Sequence, residues 1–204
     1  MKPKMNETKR AAIKVTILDC ARKIVEQEGF DGISIRKVAG LAGYTPGSIY
    51  QYFDDKEALV HALIQQGYQK MMEAIAKNPD DDLNTENQII ARFLNYNKTA
   101  LVMPEYYKAV MLSENSKILE LTSVLSCDAA SSKPGLSRLV NAIKTGMENG
   151  EFRQGNPETI AKLLWTANFG LLVRFMIENI TDDQLIEALT REQFQLLFNG
   201  IKKN

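Results

Sequence analysis

The side chains with most to offer chemically lie between Ser34 and Lys56. A guanidinium such as that of Arg36 can pair bidentately with the O6 and N7 of guanine, and a carboxamide such as that of Gln51 suits adenine. Tyrosine hydroxyls, here Tyr50 and Tyr52, can bond phosphate oxygens. Acid–base and metal chemistry have far less material. His61 is the only histidine of the chain, which leaves His-dependent catalysis and multi-His metal sites almost nothing to work with. Asp80-Asp81-Asp82 reads as an acidic connection into a helix. No GxSxG, P-loop or CxxC motif is present. Neither a catalytic residue, a metal ligand nor a cofactor is assigned.

The elements needed to present those side chains are written around them. Ser34 can cap a helix carrying Val38, Leu41 and Ala42 at apolar helical spacing. Gly43 follows where a helix end needs a left-handed residue. Thr45 can cap a second helix, expected over Thr45 to Phe53, with Pro46 at its first position. Asp54 and Glu57 have capping-box spacing for a third start. Two short helices, a tight turn and an immediate third helix make a helix-turn-helix DNA reader. A preceding helix from about Lys4 to Glu28 offers Ile13, Ile17, Ala21, Ile24 and Val25 to a small core, which Ile33, Val38, Leu41, Ile49, Phe53 and Leu59 complete.

The same residues carry a family resemblance. Gly29-Phe30, Ser34-Ile35-Arg36-Lys37-Val38-Ala39, Gly43-Tyr44-Thr45-Pro46-Gly47-Ser48-Ile49-Tyr50, Phe53 and Asp55-Lys56-Glu57-Ala58-Leu59 follow the pattern of the TetR family of transcriptional regulators. The likeness covers roughly the first quarter of the chain; the rest resembles the family only in length and helical character. It implies that Thr45, Gly47, Ser48, Tyr50, Gln51 and Tyr52 face DNA, with Arg36 reaching in from the preceding helix. Ser34, Lys37, Pro46 and Lys56 complete the expected DNA-binding set. Lys56, at a helix start, would sit where its own charge and the helix dipole both favour a phosphate.

Bulk properties agree. The 204 residues carry 25 basic and 25 acidic side chains, yet residues 1–56 hold 10 basic against 7 acidic, so the basic end is the helix-turn-helix end. Lys2, Lys4, Lys9, Arg10, Lys37 and Lys56 are phosphate candidates. A non-specific architectural DNA protein would need more positive charge. No signal peptide is visible, and the apolar run Leu171–Ile177 is broken by Arg174, so no membrane span is expected. Cys20 and Cys127 are too few for a disulfide framework. A cytoplasmic protein is expected. A thiol sensor on the same fold is the alternative, and a helical enzyme the remaining rival.

From Lys56 onward the chain reads as all helix. Helices are expected over Asp54 to Lys77 and near 84–101, 104–125, 134–149, 156–179 and 182–202, with 128–133 as a mobile surface loop. The expected fold is all-α, with a DNA-binding domain over 1–55 and a helical ligand-binding and dimerisation domain over 56–204. Ile160, Leu163, Leu164, Ala167, Leu171 and Phe175 form one apolar stripe, and Leu185, Ile186, Leu189, Leu196, Leu197 and Ile201 another. The resemblance implies that these helices meet a second copy, giving a homodimer on a palindromic double-stranded DNA operator. Phe93, Tyr96, Met103, Tyr106, Tyr107, Met111, Met147, Trp165 and Phe169 could wall a site for a small, mostly apolar effector, with Asn97, Asn168 and Arg174 as polar handles.

Overall fold

The computed structural model describes residues 7–76, 83–114, 116–127 and 129–202. The fold is all-α. In chain order the helices are α1 (Glu7–Glu28), α2 (Ile35–Ala42), α3 (Pro46–Ile49), α4 (Lys56–Ala76), α5 (Thr85–Leu101), α6 (Pro104–Met111), α7 (Ser116–Thr122), α8 (Ala129–Ser132), α9 (Pro134–Glu148), α10 (Pro157–Ile177) and α11 (Asp183–Asn199). A 3-10 turn at Phe30–Gly32 precedes α2. The only pairing of extended backbone among the described residues is the isolated bridge between Phe152 and Lys202.

The helices form two compact units. One comprises Met1–Gln69 and Met103–Ser113, the other Lys70–Val102 and Glu114–Asn204. The first unit is therefore discontinuous, and α6 belongs to it. Its core is Ile17, Ala21, Ile24 and Val25 from α1, Ile35, Val38 and Ala39 from α2, then Ile49, Phe53 and Leu59, all buried. Two expectations shift here. Ile13 is only half-buried, and Leu41 is 52% exposed. The buried face of α2 is Ile35-Val38-Ala39, one residue round from the apolar spacing that included Leu41.

α6 is tied into the first unit by Tyr106. Its hydroxyl donates to the Leu63 carbonyl at 2.5 Å, and its ring meets that of Phe30 at 6.1 Å. The ring passes so close to α4 that a Cβ at Gly67 would lie 2.3 Å from it. Burial pushes the Tyr106 phenol well above the ordinary tyrosine range, since the phenolate would be stranded away from water.

The second unit is held by a run of aromatic rings. Phe93 stacks on Phe194 at 4.6 Å, Phe194 meets Phe198 at 6.0 Å, and Phe198 stacks on Phe152 at 5.4 Å. Trp165 sits edge-on to Phe93 at 5.8 Å. Side-chain caps start its helices: Asn84 accepts from Asn87 N–H, Asn156 from Thr159 N–H, and Asp182 from Gln184 and Leu185 N–H. Each satisfies donors that a helix start leaves orphaned.

Two segments differ from expectation. The helix expected over 104–125 is broken into α6 and α7. The segment 128–133, read as a mobile loop, contains α8, whose Ala129 is completely buried. The Asp80–Asp82 connection, like Lys2 and Lys4, lies outside the described residues. α10 also passes the length and composition test for a membrane span, with a mean hydropathy of 1.4. A core helix passes the same test, and Ala161, Leu164, Leu172, Phe175 and Met176 are buried within the protein.

Candidate nucleic-acid interface and cavity

The turn between α2 and α3 is built as its residues require. Ser34 Oγ accepts from Lys37 N–H at 3.2 Å, and Gly43 closes α2 in the left-handed conformation at φ 72°. Thr45 Oγ1 accepts from Ser48 N–H at 3.2 Å and shares a hydrogen bond with Ser48 Oγ at 2.9 Å. Pro46 takes the first position of α3. The expected reading helix is shorter than Thr45–Phe53. Regular α-helix ends at Ile49, and Tyr50 to Phe53 continue as tight turns, with Tyr52 N–H donating to Ile49 C=O at 2.9 Å.

Ile49 and Phe53 anchor this segment in the core, while Arg36, Lys37, Thr45, Pro46, Gly47, Tyr50, Gln51 and Lys56 are exposed. Ser34, Ser48 and Tyr52 are half-buried. Tyr50, at 54% exposure, carries its ring outward. Lys37 Nζ pairs with Glu28 Oε2 at 2.5 Å, so a phosphate would have to compete for it. Arg10 donates to the Gln51 carbonyl at 3.0 Å and lies over the Tyr52 ring at 5.8 Å. α1 thus braces the residues that follow the reading helix. The start of α4 is capped by Asp55, not Asp54: its Oδ1 accepts from Ala58 N–H at 2.6 Å. Leu41 and Tyr44 are further exposed side chains of this unit that polarity alone did not single out.

The residues proposed as effector-site walls divide between the units. Met103, Tyr107 and Met111 belong to the first, where Met103 and Tyr107 are buried and Met111 half-buried. Phe93, Tyr96, Asn97, Met147, Trp165, Asn168 and Phe169 belong to the second, all buried except the half-buried Phe169. There Phe93 and Trp165 line an apolar cavity with Ile75, Ile89, Gly135, Leu139 and Ala142. Its volume is about 20 Å³, room for about one water molecule. Gly135 forms part of the wall because a Cβ there would lie 2.9 Å from both Met72 and Trp165.

The expected polar handles are engaged elsewhere. Asn97 and Asn168 donate to each other at 3.0 and 2.9 Å, and Asn97 also donates to Thr190 at 3.3 Å. Arg174 is exposed and pairs with Glu178. The polar groups that do line the cavity are Arg92 and Arg138, which sequence reasoning did not mark. Burial, and secondarily the charge of Arg138, pull the Arg92 guanidinium below the ordinary arginine range. No cluster of metal-ligating side chains occurs among the described residues. Cys20 is buried, Cys127 exposed, and neither forms a disulfide. His61 is an exposed residue of α4.

Residues 17–63 match the family model for bacterial regulatory proteins of the tetR family. The transcriptional repressor AcnR of Corynebacterium diphtheriae is 30% identical over 37% of this chain, and the match spans only 40% of that curated relative's length. The fatty acid metabolism regulator protein of Bacillus subtilis is 23% identical over 91% of this chain and 93% of its own length. This chain's fold is shared by a solved structure: FadR from Bacillus subtilis in complex with stearoyl-CoA superposes with a TM-score of 0.74 at 17% identity, over 92% of this chain and 98% of that one. The matched residues 17–63 are seated on a buried helical core, and they carry the DNA-binding motif of the tetR family of bacterial regulatory proteins.

Proposed function

We propose that the chain is a transcriptional repressor that binds a palindromic operator as a homodimer in the cytoplasm and leaves it when a small effector binds. The observation that carries this reading is the exposed polar face of α3 and its following turns, standing on Ile49 and Phe53. A helix so presented reads base edges with side chains near its N-terminus. Arg36 contacts a base, Gln51 contacts a base or its backbone, and Tyr50, Tyr52, Lys37 and Lys56 contact phosphates. Ser34, Thr45, Pro46, Gly47 and Ser48 shape the approach.

Dimerisation is supported by apolar side chains left exposed on the last two long helices. Leu163 is 63% and Leu196 68% exposed, and Ile177, Leu185, Leu189 and Leu197 are exposed as well. Large apolar side chains left exposed on two helices that pack against each other suit an association surface. Effector response is supported by the stearoyl-CoA held by FadR of Bacillus subtilis, which shares this fold. The functional boundary falls at 55/56. α4 acts as the lever, since it carries Lys56 at its start and continues from the first unit into the second. Effector leverage equals its affinity difference between the two forms, about 1–3 kcal/mol.

Selection from a random double-stranded DNA library at physiological salt tests the reading. One palindrome should be enriched. Arg36→Ala should weaken binding to it about 5- to 150-fold, the equivalent of about 1–3 kcal/mol. Failure to enrich any sequence would overturn the proposal. A monomer in sedimentation equilibrium at the concentrations used for DNA binding would overturn its dimeric part.

A further inference from the structure

The apolar cavity of the second unit has room for about one water molecule, but a larger space lies beside it. A polar groove of about 560 Å³ is lined by the end of α4, the first half of α5 and by α9. That volume falls within the roughly 300–1,000 Å³ of typical small-molecule sites. Three charged side chains line the groove among the described residues: Arg92 of α5, Arg138 of α9 and Glu151. Glu151 is already committed, since its oxygens accept from the backbone N–H and the hydroxyl of Thr85 at 3.0 and 2.7 Å. Neither guanidinium has a carboxylate partner among the described residues, and Arg92 Nε is buried without a hydrogen-bond acceptor. Arg138 also bears on Arg92 as a like charge. The groove therefore holds positive charge that the described chain does not compensate.

The rest of the lining is rich in neutral hydrogen-bonding groups. Asn84 Oδ1 caps α5, Gln88 Nε2 donates to the Leu83 carbonyl at 2.9 Å, and Asn149 Nδ2 lies 3.5 Å from Glu151 Oε1. Each of these amides keeps its other polar atom for a ligand. Asn141 and Thr145 of α9 stand exposed beside them. From this arrangement we propose that the groove is the effector site and takes a phosphorylated polyol, its phosphate between Arg92 and Arg138 and its hydroxyls along the amides of Asn84, Gln88, Asn141 and Asn149. A phosphate monoester brings nearly two negative charges to two guanidiniums, and its several oxygens include one for Arg92 Nε. A carboxylate brings one charge and leaves half of the pair uncompensated. Hydroxyl groups both donate and accept, as amides do, so the two kinds of group suit each other. Apolar lining is confined to Ala76, Leu83 and Ala142, too little to cover an alkyl chain. This deepens the effector part of the proposed function and rests on it: the effector is hydrophilic, where the sequence pointed to an apolar one.

Isothermal titration calorimetry of the full chain at physiological salt, with no DNA present, tests the site. The probes are glucose 6-phosphate, ribose 5-phosphate and glycerol 3-phosphate. Glucose, gluconate and inorganic phosphate are the arms that each lack one required feature. At least one ester should bind at least about tenfold more tightly than all three of these. Arg92→Gln and Arg138→Gln should each weaken that ester at least about tenfold, and Arg138→Lys, which keeps the charge, should lose less than Arg138→Gln. Asn141→Ala should weaken the ester about 2- to 10-fold and leave inorganic phosphate unchanged. Lys144→Gln, which removes a cation of α9 that faces a different groove, should change nothing.

Glucose, gluconate or inorganic phosphate binding as tightly as the esters would overturn the proposal. So would ester binding indifferent to both arginine substitutions, or no binding of any ester. Ester binding that appears only in Asp80→Asn/Asp81→Asn/Asp82→Asn would mean that the chain's own carboxylates serve the arginines, and would overturn it too. Arg138 is exposed, so its variants test the idea even if Arg92→Gln unfolds. Operator selection on the same preparation separates the failures. A sequence-specific DNA binder that ignores every ester refutes only this inference. An ester binder that selects no operator refutes the regulator reading and leaves the site standing.

Discussion

The two units solve opposite problems with polar groups. In the first, the buried Tyr106 hydroxyl apart, the helix-turn-helix keeps its hydrogen-bonding side chains near the surface, and each local bond serves the backbone: Ser34 caps α2, Thr45 caps α3 and Asp55 caps α4. In the second, polar groups are carried inside and must find partners far away in sequence. Asn97 finds Asn168 and Thr190, and all three are buried. Arg92 and Arg138 find only each other. A reading surface can be specified by short-range grammar, because its residues need only be presented. A cavity is specified by what three or four distant helices fail to fill.

The sharpest way to break the comparison is to remove the ring on which the second unit's packing converges. Phe194→Ala should cost about 3–5 kcal/mol, because Phe194 is fully buried between Phe93 and Phe198. Urea unfolding followed by Trp165 fluorescence measures this. A loss under 1 kcal/mol would mean that the aromatic run is not the unit's main support.

Next comes the buried amide pair. Asn97→Ala should cost about 1–3 kcal/mol by stranding Asn168 and Thr190. The double variant Asn97→Leu/Asn168→Leu should recover part of that loss. Recovery would mark the pair as structural; loss of probe binding in the double variant with stability intact would return these residues to the effector site.

A smaller effect is expected from the caps of the first unit. Thr45→Ala should cost about 1 kcal/mol of stability and weaken operator binding, since α3 has only one turn of regular helix to hold its position. Thermal melts beside operator titrations would separate the two consequences.

The smallest effect is a pH dependence. The Tyr106 phenol is held above its ordinary value by burial, so the unfolded chain releases that proton first as pH rises through about 10. Stability present below pH 10 is therefore lost above it. Tyr106→Phe should flatten that alkaline limb in urea titrations while lowering stability at neutral pH, where the bond to Leu63 is missing.

These contrasts explain what could be read in advance. The boundaries of α2 and the start of α3 were legible because Ser34, Gly43, Thr45 and Pro46 act on their own neighbours, whereas α3 ends at Ile49, short of the expected Phe53. Even there, local spacing misjudged what depends on tertiary fit. Leu41 has the right interval to be buried, but α2 packs with Ile35, Val38 and Ala39 inward. Asp54 and Asp55 are adjacent acids, and only the path of the chain decides that Asp55 reaches Ala58. In the second unit the helices of 84–101, 134–149, 156–179 and 182–202 were placed by their starts and by Pro, Gly and Asn punctuation. Its site was not. Asn97 and Asn168 look like ligand handles until their mutual hydrogen bonds are known. Arg92 and Arg138 look like ordinary surface cations until α5 and α9 bring them to one opening.

The discontinuity of the first unit has a consequence for how the protein is made. Residues 1–69 leave the ribosome before Met103–Ser113, the segment whose Tyr106 locks onto Leu63. The 33 residues from Lys70 to Val102 separate the two pieces, or some 2–7 seconds at roughly 5–20 residues per second. During that interval Leu63, Gly67 and the apolar flank of α1 are without the helix that covers them. The nascent first unit therefore stays open on one side until the leading quarter of the second unit, residues 70–102, has been synthesised, and that is the window in which a chaperone would be needed.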